Sequence, residues 1–270
     1  MSDIREKEKR LAARLKELGH AAVAFSGGTD SALLLYSASR SLGSRAAAIS
    51  LWSPLLSQRD RDEIISFTDK YAISLICVEF DETRDAEFCL NGSDRCYRCK
   101  SLRLQIMAAA AQERGIPWVL DGSNASDLLD YRPGMRAIGE SKITLSPLLE
   151  CGFTKDDIRS LSRRYKLPTA EKPAAACLAS RIRTNVTIEK SFLQIIDEGE
   201  EIIRAFLPDN AQVRLRYDGK IAKIETDREN IPRLSAVFNC VKKELFARGL
   251  EETVISTDGY RMGSVTSRPK

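Results

Sequence analysis

Ser26-Gly27-Gly28-Thr29-Asp30-Ser31 joins two adjacent glycines to three hydroxyls and a carboxylate. Placed between a strand and a helix, such a turn directs backbone N–H groups and the helix dipole at one point, which suits an anion such as phosphate. The glycines let the backbone approach closely, and Ser26, Thr29 and Ser31 can donate to phosphate oxygens. Asp30 can hold Mg²⁺ or cap the helix. The pattern is neither a Walker A loop nor G-x-G-x-x-G, and an ordinary strand-to-helix turn uses similar residues.

Three more clusters carry chemistry. Asp121-Gly122-Ser123-Asn124 is followed by Asp127, Asp130, Tyr131, Arg132, Pro133 and Gly134, a polar stretch where Arg132 can neutralise phosphate and Asp127 or Asp130 can ligate Mg²⁺. Cys96-Tyr97-Arg98-Cys99-Lys100 has a CxxC spacing compatible with a redox pair, half a zinc site, part of an iron–sulfur site, or two packed helix residues. Cys177 lies in a small-residue segment between Lys172 and Ser180-Arg181, with Arg183 beyond. Cations beside a thiol favour the thiolate, the nucleophilic form; a small buried hydrophobe is the other reading of a cysteine there. Arg214 and Arg216 alternate along one strand and so share a face, where they supply positive charge or form a solvated surface.

Alternating patterns must position these clusters. Apolar β-rich runs at Ala21–Phe25, Ala46–Leu51, Ser74–Phe80 and Trp118–Asp121 alternate with helical patterns at Asp30–Leu42, Gln58–Tyr71 and Cys96–Arg114. Gly43 and Gly115 stop two of those helices. A further helix starts at Thr154, where Asp157 completes a capping box, and ends near Lys166. Strand–helix alternation of this kind predicts a doubly wound α/β fold with a parallel sheet, its ligands at the carboxyl ends of the strands. From about residue 185 the order changes to a helix over Ile188–Phe206, strands Val213–Tyr217 and Ile221–Thr226 joined at Asp218-Gly219, a helix over Ile231–Arg248 and a strand Thr253–Thr257. Expected domains are therefore 1–185 and a smaller α+β module over 186–270.

Composition removes several classes. The 270 residues are 43% hydrophobic and 30% charged, the balance of an ordinary globular protein rather than a disordered or low-complexity chain. Apolar runs fall far short of the roughly 20 residues that span a bilayer. Residues 1–19 are charged and helix-patterned without an apolar leader, so a cytoplasmic protein with no membrane partner is expected. A net charge of +4 is too mild to predict nucleic-acid binding. Seven cysteines, an odd number, suggest free thiols, and a single histidine, His20, excludes a His-rich metal site.

S-G-G-x-D-S after a first strand resembles the PP-loop of the ATP-pyrophosphatases, which adenylate a substrate oxygen and release pyrophosphate. Taken in order, the phosphate loop, Asp94 through Lys100, Asp121 through Gly134 and Lys172 through Arg181 resemble the LarE family of ATP-dependent sulfur transferases over nearly the whole chain, including Val213–Arg216 and Asp258–Arg261. The resemblance implies ATP and Mg²⁺ as cofactors, with Ser26, Gly27, Gly28, Thr29, Asp30, Ser31, Gly122, Asn124, Asp127 and Arg132 at the nucleotide and Asp30 at the metal. It implies a pyridinium-3,5-biscarboxylic acid mononucleotide as substrate, contacted by Cys96, Tyr97, Lys100, Lys172, Ser180 and Arg181. Cys177 would surrender its sulfur and become dehydroalanine, with Arg214 and Arg216 supplying charge and Glu200 or Glu201 serving as base. A homo-oligomer, trimeric or hexameric, is also implied. Some relatives instead deliver sulfur from an iron–sulfur cluster, for which Cys96, Cys99 and Cys177 would be the ligands; a non-catalytic nucleotide- or metal-binding module is the alternative of another class.

Overall fold

The computed structural model describes residues 2–128, 143–173 and 176–260. They divide into two units, the first drawn from 1–53, 58–80 and 96–175 and the second from 54–57, 81–95 and 176–270.

The first unit is built on β1 (Ala21–Ala24), β2 (Ala46–Trp52), β3 (Ser74–Glu79), β4 (Trp118–Leu120) and β5 (Thr144–Leu145). They form a wholly parallel sheet in the order β3-β2-β1-β4-β5. The central strands β1 and β2 are alanine-rich and buried, because helices cover both faces of a parallel sheet and small side chains let them come close. Edge strand β3 alternates exposed and half-buried positions. Around the sheet lie α1 (Ser2–Leu18), α2 (Thr29–Leu42), α3 (Gln58–Lys70), α4 (Arg95–Gln112) and α5 (Lys155–Arg164). Ala32, Leu33, Leu34 and Leu35 of α2 are all fully buried, because α1 and α5 cover the side of α2 that the sheet leaves open. The capping box at Thr154 and Asp157 forms as expected, and Lys7 of α1 adds a 2.9 Å ion pair to Asp157.

This order makes β1 the place where the chain reverses direction across the sheet. Two strands are added on one side of β1, then the chain crosses back to lay β4 on its other side. The loops leaving the carboxyl ends of β1 and β4 therefore diverge around one crevice, the usual ligand position in open α/β sheets.

The second unit contains α6 (Lys190–Arg204), α7 (Ile231–Phe246) and a small sheet of β6 (Val213–Tyr217), β7 (Ile221–Thr226) and β8 (Glu252–Ile255). β6 and β7 form an antiparallel hairpin, and β8 joins β7 in parallel. Asp218 closes the turn by accepting from the N–H groups of Lys220 and Ile221, while Gly219 takes a φ of +102°, the left-handed region that glycine tolerates. Leu193, Ile196, Gly199 and Ile203 form the buried stripe of α6, which packs on β6 and α7. The doubly wound sheet and the smaller α+β module are thus as expected, with β5 an addition too short for its pattern to stand out.

Candidate functional site

Ser26 through Ser31 leave β1 and enter α2 directly. Gly27 has a φ of +71°, and Gly28 is the N-cap residue of α2. Gly28 contributes no side-chain cap; its carbonyl accepts from the Ala32 N–H and the Ser31 hydroxyl. The Ser26 and Ser31 hydroxyls lie 3.4 Å apart, and Thr29 donates to the Thr169 carbonyl at 2.8 Å. The loop is thereby closed on itself and against the segment after α5.

The loop after β4 is docked onto the phosphate loop. Asn124, fully buried, donates from Nδ2 to Asp30 Oδ2 at 3.2 Å and accepts from the Ser126 N–H through Oδ1. Its own N–H donates to Asp127, whose buried carboxylate is 3.6 Å from Lys155 Nζ. Asp127 therefore shapes the loop that presents Asn124. Gly122 lies so close to α2 that an added Cβ would sit 3.1 Å from Ser31 N and 3.3 Å from its Cα. A methyl group there must push backbone aside. Gly122→Ala is expected to cost about 1–3 kcal/mol in stability, by overpacking, and to weaken ATP binding; unaltered thermal unfolding and ATP affinity would show the contact to be unimportant.

On α4, Lys100 pairs with Asp121 at 3.3 Å, and Tyr97 packs partly against the sheet core near Ala22 and Ala47. Cys96 is exposed and Cys99 half-buried, three positions apart in the first turn of the helix. Lys172, expected at the substrate, instead reaches the phosphate loop: its Nζ donates to Gly27 O at 3.2 Å and to Asp60 of α3 at 3.0 Å, and it also pairs with Glu63. Arg132, with Asp130, Tyr131, Pro133 and Gly134, lies outside the described residues, as do Ala174, Ala175 and Arg261. Among the described residues no group of three or more His, Cys, Asp or Glu is gathered for a metal ion. Mg²⁺ commonly takes only one or two carboxylates and completes its shell with phosphate oxygens and water, so Asp30 beside the loop fits that role.

In the second unit Cys177 is exposed and starts a single 3₁₀ turn, Leu178–Arg181. The turn is held tightly. Arg181 donates from Nε and Nη2 to both Glu200 oxygens at 2.9 and 3.1 Å, and from Nη1 to the Cys177 carbonyl at 3.1 Å and the Ser180 hydroxyl at 3.2 Å. It also bonds the Ala176 carbonyl. Arg216 donates to the Ser180 carbonyl at 3.0 Å and to Glu225 at 3.0 Å. From the other side, Arg95 donates to the Ala179 carbonyl and to Asn91, while Asn91 donates to the carbonyls of Arg183 and Val186. The backbone around Cys177 is fixed while its thiol faces solvent.

Arg214 shares the Arg216 face of β6, is buried, donates to the Val213 carbonyl at 2.7 Å and lies 5.5 Å from the centre of the Tyr260 ring. Burial pushes the Glu200 carboxyl upward. The charge and hydrogen bonds of Arg181, the charge of Arg214 and the Leu215 N–H outweigh that push and hold it below its ordinary value. Burial and the charge of Arg181 lower the Arg214 guanidinium in turn. Glu200 thus has the setting of a charged anchor rather than of a proton acceptor. Glu201 is half exposed and pairs with Arg204 at 3.3 Å.

The described site residues form two groups. The phosphate loop, Gly122, Asn124, Asp127, Lys172, Cys96, Tyr97 and Lys100 belong to the first unit; Cys177, Ser180, Arg181, Glu200, Arg214 and Arg216 belong to the second. Asp60, Glu63, Asn91, Arg95 and Glu225 were not expected from the sequence. Each gains its place only through contacts with residues distant in the chain.

No family model matches the chain. It is 35% identical over 217 residues to an uncharacterised protein of Synechocystis sp., covering 80% of this chain and 79% of that one. It is 28% identical over 264 residues to the pyridinium-3,5-bisthiocarboxylic acid mononucleotide synthase of Lactiplantibacillus plantarum, covering 97% and 95% of the two chains. A shorter match, 27% identical over 187 residues, joins it to a glutamine-hydrolysing GMP synthase of Thermoplasma volcanium, covering 64% and 60%. With the parallel sheet, the phosphate loop and a full-length likeness in hand, the chain belongs to the LarE family of PP-loop enzymes.

Proposed function

We propose that the chain is an ATP-dependent sulfurtransferase that acts on pyridinium-3,5-biscarboxylic acid mononucleotide and donates the sulfur of Cys177. The observation that carries this reading is an exposed thiol on a backbone turn pinned by a buried arginine–glutamate pair. Such a turn holds the sulfur atom in place yet leaves it open to an acyl group. The name and full-length likeness of the Lactiplantibacillus relative support the substrate.

The phosphate loop supplies the first half-reaction. A substrate carboxylate oxygen attacks the α-phosphorus of ATP and pyrophosphate leaves, giving an acyl-adenylate; the loop N–H groups, Ser26, Ser31 and the N-terminus of α2 neutralise the departing charge. Mg²⁺, held by Asp30 together with phosphate oxygens, would offset the charge of the triphosphate. In the second half-reaction the Cys177 thiolate attacks the acyl carbon and AMP departs, leaving a thioester. Removal of the Cys177 Cα proton then expels the thiocarboxylate, the Cβ–S electron pair going to sulfur and dehydroalanine remaining in the chain. Arg214 and Arg216, with Arg181, give this unit a surplus of buried positive charge suited to the substrate's carboxylates and phosphate. Glu200 serves as the anchor of Arg181, which in turn fixes Cys177.

Two further elements of the proposal are a homo-oligomeric assembly and a location in the cytoplasm. Among the described residues no helix is long and apolar enough to cross a membrane. The test is anaerobic incubation with ATP, Mg²⁺ and the biscarboxylate: pyrophosphate and thiocarboxylate should both form, and product should stop at one equivalent of sulfur per chain. Product exceeding the chain concentration without added sulfide would contradict a sacrificial donor.

A further inference from the structure

Asp60 and Glu63 stand three residues apart on α3 and share a helix face. Both meet Lys172 Nζ, and the same ammonium donates to the carbonyl of Gly27. The ion pairs are sheltered, with the Lys172 side chain 16% exposed, Asp60 25% and Glu63 36%. None of the three has a role in the half-reactions described above.

The peptide linking Gly27 to Gly28 is planar, so its carbonyl and its N–H point in opposite directions. Glycine lies on each side of it, and a Gly-Gly peptide has little steric reason to prefer one face over the other. A loop that binds anions through N–H groups works only if that choice is made in advance. Lys172 makes it by drawing the carbonyl toward itself, which turns the Gly28 N–H to the opposite side. The two carboxylates hold the ammonium at the carbonyl and keep it from following an arriving phosphate. We infer that Asp60, Glu63 and Lys172 form a latch that positions the phosphate loop through the Gly27 carbonyl, with Asp60 and Glu63 as positioning residues for ATP.

This inference rests on the nucleotide reading of the loop, and it carries a sign that simple electrostatics does not. Removing two negative charges near a triphosphate should tighten ATP binding by Coulomb's law alone. A latch makes the opposite demand. Asp60→Asn/Glu63→Gln should weaken ATP binding about tenfold, with pyrophosphate release at saturating ATP changed far less. Glu63→Gln alone, which leaves Asp60 in place, should give an intermediate loss. Lys172→Met should match the double variant, the triple variant should add little beyond either, and Lys172→Arg should restore most of the affinity.

Equilibrium dialysis with ATP on the full chain, checked by thermal unfolding of each variant, reads these effects. Unchanged or tighter ATP binding by the double or the single carboxylate variant would overturn the latch. Wild-type protein that fails to bind ATP would instead overturn the nucleotide reading, and the latch with it. If the double variant fails to fold, Glu63→Gln and Lys172→Arg decide the question by the same two signs.

Discussion

Cys177→Ala protein incubated with ATP, Mg²⁺ and the pyridinium biscarboxylate is expected to form no thiocarboxylate, while pyrophosphate release continues. The two half-reactions use different equipment: adenylation belongs to the loop between β1 and α2, and sulfur donation belongs to one exposed thiol on the 3₁₀ turn. Loss of the thiol removes the only atom the second half-reaction transfers, so the effect on product is total rather than graded. Cys177→Ser would also give no thiocarboxylate, because an ester to serine holds no sulfur. Undiminished thiocarboxylate from the alanine variant would mean that sulfur has another source.

The second large effect concerns stability. Arg181 and Glu200 are 5% and 4% exposed, and they are joined by two hydrogen bonds. Glu200→Ala leaves a buried guanidinium without its carboxylate and removes the acceptor of the Leu215 N–H. Breaking a buried pair from one side costs about 3–5 kcal/mol. In a chain of this size that corresponds to a melting temperature lowered by roughly 10 °C. Glu200→Gln keeps an acceptor and loses the charge, so its penalty should be smaller.

The same pair sets a direction with pH. The folded-state pKa of Glu200 is depressed, so its contribution is complete above the usual glutamate range and is lost as pH falls through the lower folded value. Glu200→Gln should therefore flatten the acid limb of the stability curve. Chemical denaturation of both variants between neutral pH and pH 3 measures the two effects; an alanine variant as stable as wild type would show that the pair anchors nothing.

Sequence periodicity located most elements to within two residues because each has a single structural reason. Val213–Tyr217 and Ile221–Thr226 are bounded by a turn that Asp218 and Gly219 close locally. Two-residue β5 offers no period to detect, and nothing in the segment Glu252–Ile255 reveals that it pairs in parallel with β7. The phosphate loop was legible for the same reason as the hairpin, since its chemistry is contained in consecutive residues.

What could not be read was any partnership across the chain. Asp60 and Glu63 sit in a run of alternating charges on α3 that looks like a solvated face until Lys172 is brought to it. Glu200 was expected as a base because it is a carboxylate on a helix before the arginine strand. Its burial and its bidentate bond to Arg181, nineteen residues away, give it the work of an anchor. Gly122 illustrates a third case, a residue expected at the nucleotide whose need for glycine lies in its approach to Ser31.

The central claim is that the protein itself is the sulfur donor, and the mass of the protein tests it most directly. Anaerobically purified chain should be weighed intact and mapped by peptides before and after reaction with ATP, Mg²⁺ and the biscarboxylate nucleotide. The account predicts loss of the mass of one H₂S, located at residue 177 and dependent on ATP. Unchanged mass at Cys177 alongside accumulating thiocarboxylate would contradict it.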